Sequence, residues 1–397
     1  MGASTDHALG RNLKFFCKKE IDSGTLIPGG RYGLSNQLAV AGGDAAKVLS
    51  SSIEFTVTRT DRMDSRASRS VLERITGKQE VSFSCESYLL PAGSTTAPDI
   101  DPLIEAAMGG AFGASTSNTY KLSDSNALPT CRIARTANGV FREDLFGAYV
   151  EEMSISASGG EEPRMSFSGG AFNYALTGTG TSHGSSSVTS TSVPLVTGDG
   201  VNFMVGSCID INGGSAIVTA KAAADTLTVT SGTYTNNEAI TPETYTESTA
   251  GNPVNGISGS LTLNSVTLPI TAFDMTLTNN IKPLSDEAFE KGASDFVAGI
   301  RSVTGTVTVR ARKDFVKSLA QRYVQLTASG DPTFSSVPIV VTLGGVAAKK
   351  VVITMSTCEL DFGAIDVPEA EEAILNIPFT SLGNSGGDEL TLAWNQS

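Results

Sequence analysis

The chain has 397 residues, of which 40% are hydrophobic and 17% charged, against ~25% charged in an average domain. That balance excludes a disordered chain, and the length predicts two or three modules at roughly 100–200 residues each. The formal charge of −13, from 28 basic and 41 acidic residues, disfavours a protein that grips duplex phosphate, because such grip comes from Lys and Arg. It does not disfavour a surface past which DNA must slide without sticking.

Gly reaches 41 residues in a text heavy with Ser, Thr and Val, which predicts strands and tight turns over long helices. No run of about 18 apolar residues occurs, so no transmembrane helix is expected. Met1-Gly-Ala-Ser-Thr-Asp6 lacks a basic region followed by an apolar stretch, so no signal peptide is expected. Asp6 also breaks the myristoylation pattern. Cys17, Cys85, Cys131, Cys208 and Cys358 are an odd, widely spaced set without Cys-x-x-Cys, which predicts free thiols in a reducing compartment.

Taken in chain order, the first strong pattern is Ile53-Glu-Phe-Thr-Val-Thr58, alternating with the period of a half-buried strand. A charged stretch follows, then Gly77 and a second alternating strand, Val81-Ser-Phe-Ser-Cys85. Asp101-Pro-Leu-Ile-Glu-Ala-Ala-Met108 predicts a helix with Asp101 as N-cap and Pro at the first helical position. Tyr149-Val-Glu-Glu-Met-Ser-Ile-Ser, the acidic turn Gly159-Gly-Glu-Glu-Pro163 and Arg164-Met-Ser-Phe predict a hairpin.

Thr177-Gly-Thr-Gly-Thr-Ser-His-Gly-Ser-Ser-Ser187 then reads as a flexible linker. Short strands are predicted beyond it at 193–196, 201–205, 208–211, 216–220 and 226–230, each bounded by Gly, Asp or Asn turns. A polar stretch from Ser231 to Gly251 leads out. This is a small all-β insert.

The opening order then recurs. Phe273-Asp-Met-Thr-Leu-Thr278 repeats the pattern of 53–58, and Gly305 with Thr306-Val-Thr-Val309 repeats the second strand. Asp314-Phe-Val-Lys-Ser-Leu-Ala-Gln-Arg-Tyr-Val324 predicts a helix with Phe315, Leu319 and Tyr323 on one face. Val352-Ile-Thr-Met-Ser-Thr-Cys, the turn Asp366–Glu372 and Ile374-Leu-Asn-Ile-Pro-Phe repeat the hairpin. The expected division is 1–176, an insert at 177–256, and 257–397.

The residues needed for catalysis are poorly represented. His7 and His183 sit in a terminus and a linker, unsuited to a triad, a His-metal site or a general base. Gly383-Asn-Ser-Gly-Gly387 fits G-x-S-x-G but follows a proline-bearing strand and opens no helix, so it reads as a loop. No phosphate loop, dinucleotide fingerprint or calcium loop occurs. The pairs Glu151-Glu152, Glu161-Glu162 and Glu371-Glu372 could supply glycosidase carboxylates, but neighbours on a strand point to opposite faces. No catalytic, cofactor or metal residues are expected.

The two-copy order of strand, charged loop, strand, helix and hairpin resembles the major tail tube protein of long-tailed, non-contractile bacteriophages. Leu9-Gly-Arg-Asn-Leu-Lys-Phe-Phe16, followed by Gly29-Gly-Arg-Tyr-Gly33, is similar to the N-terminal arm and first strand of flagellotropic-phage tube proteins. The resemblance covers both ends of the chain and leaves out the insert. It implies two tandem tail-tube β-sandwich or partial-barrel domains, each with a flanking helix. It also implies a structural virion protein, assembled in the bacterial cytoplasm, whose homotrimeric rings stack into a tube. Six tube domains would close each ring. Implied partners are tape-measure, tail-terminator and tail-tip proteins, with double-stranded DNA in transit and no membrane. The competing readings are a phage or bacterial surface adhesin and a secreted β-rich hydrolase, the latter opposed by the missing signal and histidines.

Alternation places Glu54, Thr56 and Thr58 on one face, with Asp274, Thr276 and Thr278 on its counterpart. These residues, with Glu80 and Glu86, are candidates to line the bore, where fixed negative charge repels phosphate. Arg310 stands on the same pattern and breaks its uniformity. Two long charged loops, 59–78 and 279–302, show no strand alternation and are the candidate ring-to-ring contacts. The candidates within them are Arg62, Arg66, Arg69, Leu72 and Arg74, then Leu284, Asp286, Glu287, Phe289 and Phe296.

Overall fold

The computed structural model describes residues 13–20, 42–62, 73–91, 96–113, 118–125, 127–137, 139–184, 188–189, 191–230, 233–244, 251–254, 259–263, 266–268, 270–284, 292–293, 295–311, 336–346, 349–361, 365–366 and 373–396. The protein is mainly β, with large antiparallel sheets and a half-barrel among them.

The first half holds β1 (Leu13–Lys19), β2 (Ala45–Ala46), β3 (Ser50–Asp61), β4 (Arg74–Tyr88), α1 (Asp101–Met108), β5 (Thr119–Lys121), β6 (Cys131–Ala137), β7 (Phe141–Ser158), β8 (Arg164–Ala171) and β9 (Asn173–Thr177). The insert holds β10 (Gly180–Thr181), β11 (Val188–Thr189), β12 (Ser192–Pro194), β13 (Cys208–Ile211), β14 (Gly214–Ala223), β15 (Thr226–Val229), β16 (Thr233–Tyr234) and β17 (Ala239–Pro242). The second half holds β18 (Gly259–Leu263), β19 (Val266–Leu268), β20 (Ile270–Thr278), β21 (Lys282–Leu284), β22 (Asp295–Val297), β23 (Ser302–Arg310), β24 (Val337–Leu343), β25 (Lys350–Leu360), β26 (Ile365–Asp366), β27 (Ile374–Ser381) and β28 (Thr391–Gln396).

The predicted strands of both halves fall inside these elements, and α1 spans the predicted helical residues. Its capping differs from expectation. Ile100 occupies the N-cap position without a side-chain cap, and Asp101 is the first helical residue, followed by Pro102. The Asp101 carboxylate instead accepts the hydroxyl of buried Tyr120 at 2.5 Å. Burial pushes that carboxyl up to about 6, against the Tyr120 hydrogen bond, which lowers it. The helix predicted at 314–324 lies outside the described residues.

The repeat is clearer in the pairings than in the letters. In the first half β1 pairs with β6, β6 with β7, β7 with β8, β8 with β4, and β4 with β3. In the second half β18 pairs with β24, β24 with β25, β25 and β26 with β27, β27 with β23, and β23 with β20. The side pairings match as well: β1 with β2 and β7 with β9, against β18 with β19 and β25 with β28.

The long strand of each half carries the same irregularities. Register slips between Cys131 and Ile133 where they face Ala148 and Leu145, and between Val337 and Ile339 where they face Cys358 and Met355. A second slip follows Val150 in β7. The pairs Leu360–Phe379 and Ile365–Leu375 differ in register by the same one residue. A bulge of this kind lets one strand leave one sheet and enter another. Gly147, at φ 62°, sits at that corner of β7.

Carrying the alignment outward from these slips makes Ile53 the counterpart of Met275, two residues from the match suggested by the letters alone. A shift of two preserves the face on which every side chain lies.

The halves join side by side. β20 pairs with the C-terminal part of β7, from Ala272–Ser158 to Thr278–Glu152. β28 pairs with β5, and Trp394 meets Tyr120 edge-on at 6.5 Å. One hydrophobic core runs through both halves, taking in Phe83, Phe167, Met153, Leu277, Val307 and Phe379.

The insert has a separate core built on Phe203, Ile209, Val218, Leu227 and Ile240. Its strands run β10-β17-β13-β14-β15-β12, and a Ser182–Leu195 bridge brings the two ends of that series together. The strand predicted at 201–205 does not form. Asp199–Asn202 is a 3-10 turn entered through Gly198 at φ 99°, with Asp225 accepting the amides of Gly198 and Gly200.

Candidate functional site

Eight strands lie in the order β3-β4-β8-β7-β20-β23-β27-β25, across both halves. Directly opposed residues share a face, so rows can be followed across the whole sheet. One row is Ser50, Glu86, Ser166, Ser154, Thr276, Thr304, Thr380 and Glu359. The next runs Tyr88, Arg164, Ser156, Asp274, Thr306 and Pro378. The intervening row, from Ser87 through Met165, Ile155 and Met275, is buried, as is the row on the other side of the first, from Cys85 through Phe167, Met153, Leu277 and Val303. A single hydroxyl-rich face therefore spans the two halves, opposite the core.

The candidate bore residues fall on it together. Glu54, Thr56, Thr58, Glu80 and Asp274 are exposed, while Glu86, Thr276 and Thr278 are half-buried. Hydroxyls tie neighbouring strands across the face, Ser52 to Ser84 at 2.8 Å and Ser154 to Ser166 at 2.6 Å.

Charge on this face is mixed with an acidic excess. Glu54, Glu80, Glu86, Glu152, Asp274 and Glu359 stand against Lys78, Arg164 and Arg310. Glu86 is held by Arg164 at 3.3 Å, an exposed pair of small energetic weight. Partial burial pushes the Asp274 carboxyl up, opposed by the Thr306 amide.

The two charged loops are less alike than their sequences suggest. The described residues of 59–78 lie in or directly beside β3 and β4, whose far end carries the exposed pairs Arg62–Glu73 and Arg74–Asp61, both 2.7 Å. Arg66, Arg69 and Leu72 lie outside the described residues, as do Asp286, Glu287 and Phe289. The stretch expected to lack strands at 279–302 contains the ribbon β21–β22.

Phe296, expected at a ring contact, is buried instead. It packs on Tyr149 and Phe172 with ring centroids 5.5 and 6.0 Å away, because an aromatic side chain gains more from a ready apolar cluster than from water. Leu284 and Val297 on the same ribbon remain exposed, as do Ile300 just beyond it and Ile75 on β4.

Ser385 of the G-x-S-x-G segment lies in the loop between β27 and β28, where its amide and hydroxyl bond Asp388. His183 is an exposed residue, its amide on the Pro194 carbonyl. Glu151, Glu152, Glu161 and Glu162 are all exposed. The five cysteines are free and buried, and burial pushes the Cys85 thiol up to about 12. Among the described residues no cluster of His, Cys, Asp and Glu suits a metal ion. No helix among them is long and apolar enough to cross a membrane.

Sequence reasoning missed a buried charge cluster beneath the insert. Asp144 takes Arg132 at 2.8 Å and Arg142 through two bonds of 2.7 and 2.8 Å, with essentially no solvent at any of the three. Arg132 also lies over the Phe146 ring, 4.6 Å from its centroid, and donates to Cys208 at 3.0 Å. Arg142 donates to the Glu243 carbonyl at 3.3 Å. Cys208 and Glu243 belong to the insert, so the insert is seated on the first half through this cluster. The available signal was charge of both signs at close spacing in two adjoining strands, Cys131-Arg-Ile-Ala-Arg135 and Phe141-Arg-Glu-Asp144.

No family model matches the sequence, and no curated protein matches it.

Proposed function

We propose that the protein is a structural subunit of a virion tail tube, its rings stacking into a conduit for double-stranded DNA. The observation that carries this reading is the side-by-side fusion of two equivalent four-strand units, β3-β4-β8-β7 and β20-β23-β27-β25, under one polar face. A unit that already adds laterally to its own copy is built for a heterologous ring.

Three chains with eight strands each would close a barrel about 48 Å across between backbones, at ~4.8 Å per strand and ~40° tilt. Two chains would give roughly the strand number of a porin, leaving a much narrower channel. The hydroxyl lining and acidic excess suit passage of a polyanion, because they offer phosphate few cationic contacts. Negative-stain microscopy of the purified protein tests the reading. Hollow tubes or rings are expected, and isolated particles at all concentrations would overturn it.

A further inference from the structure

The series of eight strands ends on two edges, and the joint in its middle shows how such edges meet. At that joint Met275 faces Ile155 and Asp274 faces Ser156. By the alignment of the halves, the counterpart of β20 is β3, and the counterparts of Ile155 and Ser156 are Ile365 and Asp366 of β26. Among the described residues β3 pairs only with β4, and β26 only with β27. Both outer edges therefore repeat the two sides of a joint that the chain makes once within itself.

We infer that the β3 edge of one chain receives β26 of a second copy, in the register of the internal β20–β7 joint. Ile53 then faces Ile365 of the next copy and Ser52 faces its Asp366. This specifies the ring contact of the proposed tube and rests on that reading for its closure.

Backbone direction agrees with the inference. The Asn279 amide donates to the Glu151 carbonyl, so alternate residues back along β20, Leu277 and Met275, also face β7. Their counterparts Phe55 and Ile53 accordingly present amides and carbonyls to the outer edge. An edge of this kind recruits another strand unless something blunts it. Here Arg135 blunts one end, donating to the Ser51 carbonyl at 3.0 Å while Glu143 holds its guanidinium. Its counterpart in the second half is Val341, where the internal joint has no such guard. Phe55 stacks on Tyr174 at 4.9 Å.

The contact is heterologous: one edge differs from the other, so copies add head to tail and a closing rotation gives a ring. Ser52 and Asp366 occupy a pair without mutual backbone hydrogen bonds, where Cα atoms approach to about 4.5 Å, within disulfide reach.

The test is the Ser52→Cys/Asp366→Cys double variant of the full chain, assembled and then oxidised, with both single variants and Ser50→Cys/Asp366→Cys as controls. The 41.1 kDa chain should move on a non-reducing gel into reducible ladders ending at three chains, while the controls remain largely monomeric. In wild-type protein the Ile53 and Phe55 amides should lose their fast hydrogen exchange on assembly. Rings or tubes in micrographs with the double variant unlinked, or with those amides still exchanging fast, would overturn this joint and leave the tube reading standing. Absence of any assembly together with absence of links would overturn both.

Discussion

Replacing Asp144 with Asn tests the buried cluster that seats the insert. The change keeps the shape of the side chain but removes the one carboxylate between Arg132 and Arg142, which lie at 2.8 and 2.7 Å with 0 and 1% side-chain exposure. Two guanidinium groups would remain in a site closed to water. Removing one partner of a buried ion pair costs about 3–5 kcal/mol, mostly through the charge left uncompensated. At roughly 2–4 °C per kcal/mol for a cooperative unit of 150–250 residues, the melting temperature should fall by about 6–20 °C.

Burial alone would push the Asp144 carboxyl up, but Arg142 and then Arg132 hold it below the ordinary value. Its folded value thus lies under the unfolded one of about 3.9. The contribution is present at neutral pH and is lost as the pH falls from about 4 through the folded value. Urea unfolding of parent and Asp144→Asn at pH 7 and at pH 3 measures both effects. The gap should be large at pH 7 and smaller at pH 3. A loss under about 1 kcal/mol at pH 7 would refute the argument.

Gly305→Ala should destabilise by about 1–3 kcal/mol through overpacking, because a Cβ there would stand 2.1 Å from the Asp274 carbonyl and 2.6 Å from the Phe379 ring; an unchanged melting temperature contradicts this. Glu54→Lys with Asp274→Lys should leave tubes intact and slow DNA release, measured by nuclease sensitivity of ejected DNA; unchanged release would remove these residues from the lining. Deleting 62–72 should leave a folded, soluble subunit that no longer polymerises, and normal tubes would rule out the loop as the ring-to-ring contact. Exchanging 177–256 for a short Gly/Ser linker should leave both tube domains folded with a lower melting temperature, since Arg132 and Arg142 lose Cys208 and Glu243; insoluble protein would mean that the insert is part of the fold.

Strand alternation made the polar face legible before any coordinates. Glu54, Thr56, Thr58 and Asp274, Thr276, Thr278 needed only period two to fall on one side, and a two-residue shift in the match between halves left that unchanged. Period two says nothing of lateral neighbours, so the row linking Ser50 to Glu359 and the joint at β7–β20 came only from the pairings. Local signals failed where tertiary partners took over. Asp101 has the chemistry of a cap yet serves Tyr120, and Phe296 sits in a charged stretch yet packs on Tyr149 and Phe172. Val201 has strand lettering, but two glycines and Asp225 turn the chain there instead. The Arg132–Asp144–Arg142 cluster was illegible because Arg132 reaches Asp144 diagonally across the β6–β7 pairing, and Cys208 and Glu243 come from the insert.

The most direct measurement of the central claim is the number of chains in one ring, obtained by native mass measurement of a ring or by symmetry averaging of tube images. The account predicts three chains per ring, each contributing two tube units, with pseudo-sixfold density at the wall. A ring of six chains would contradict it.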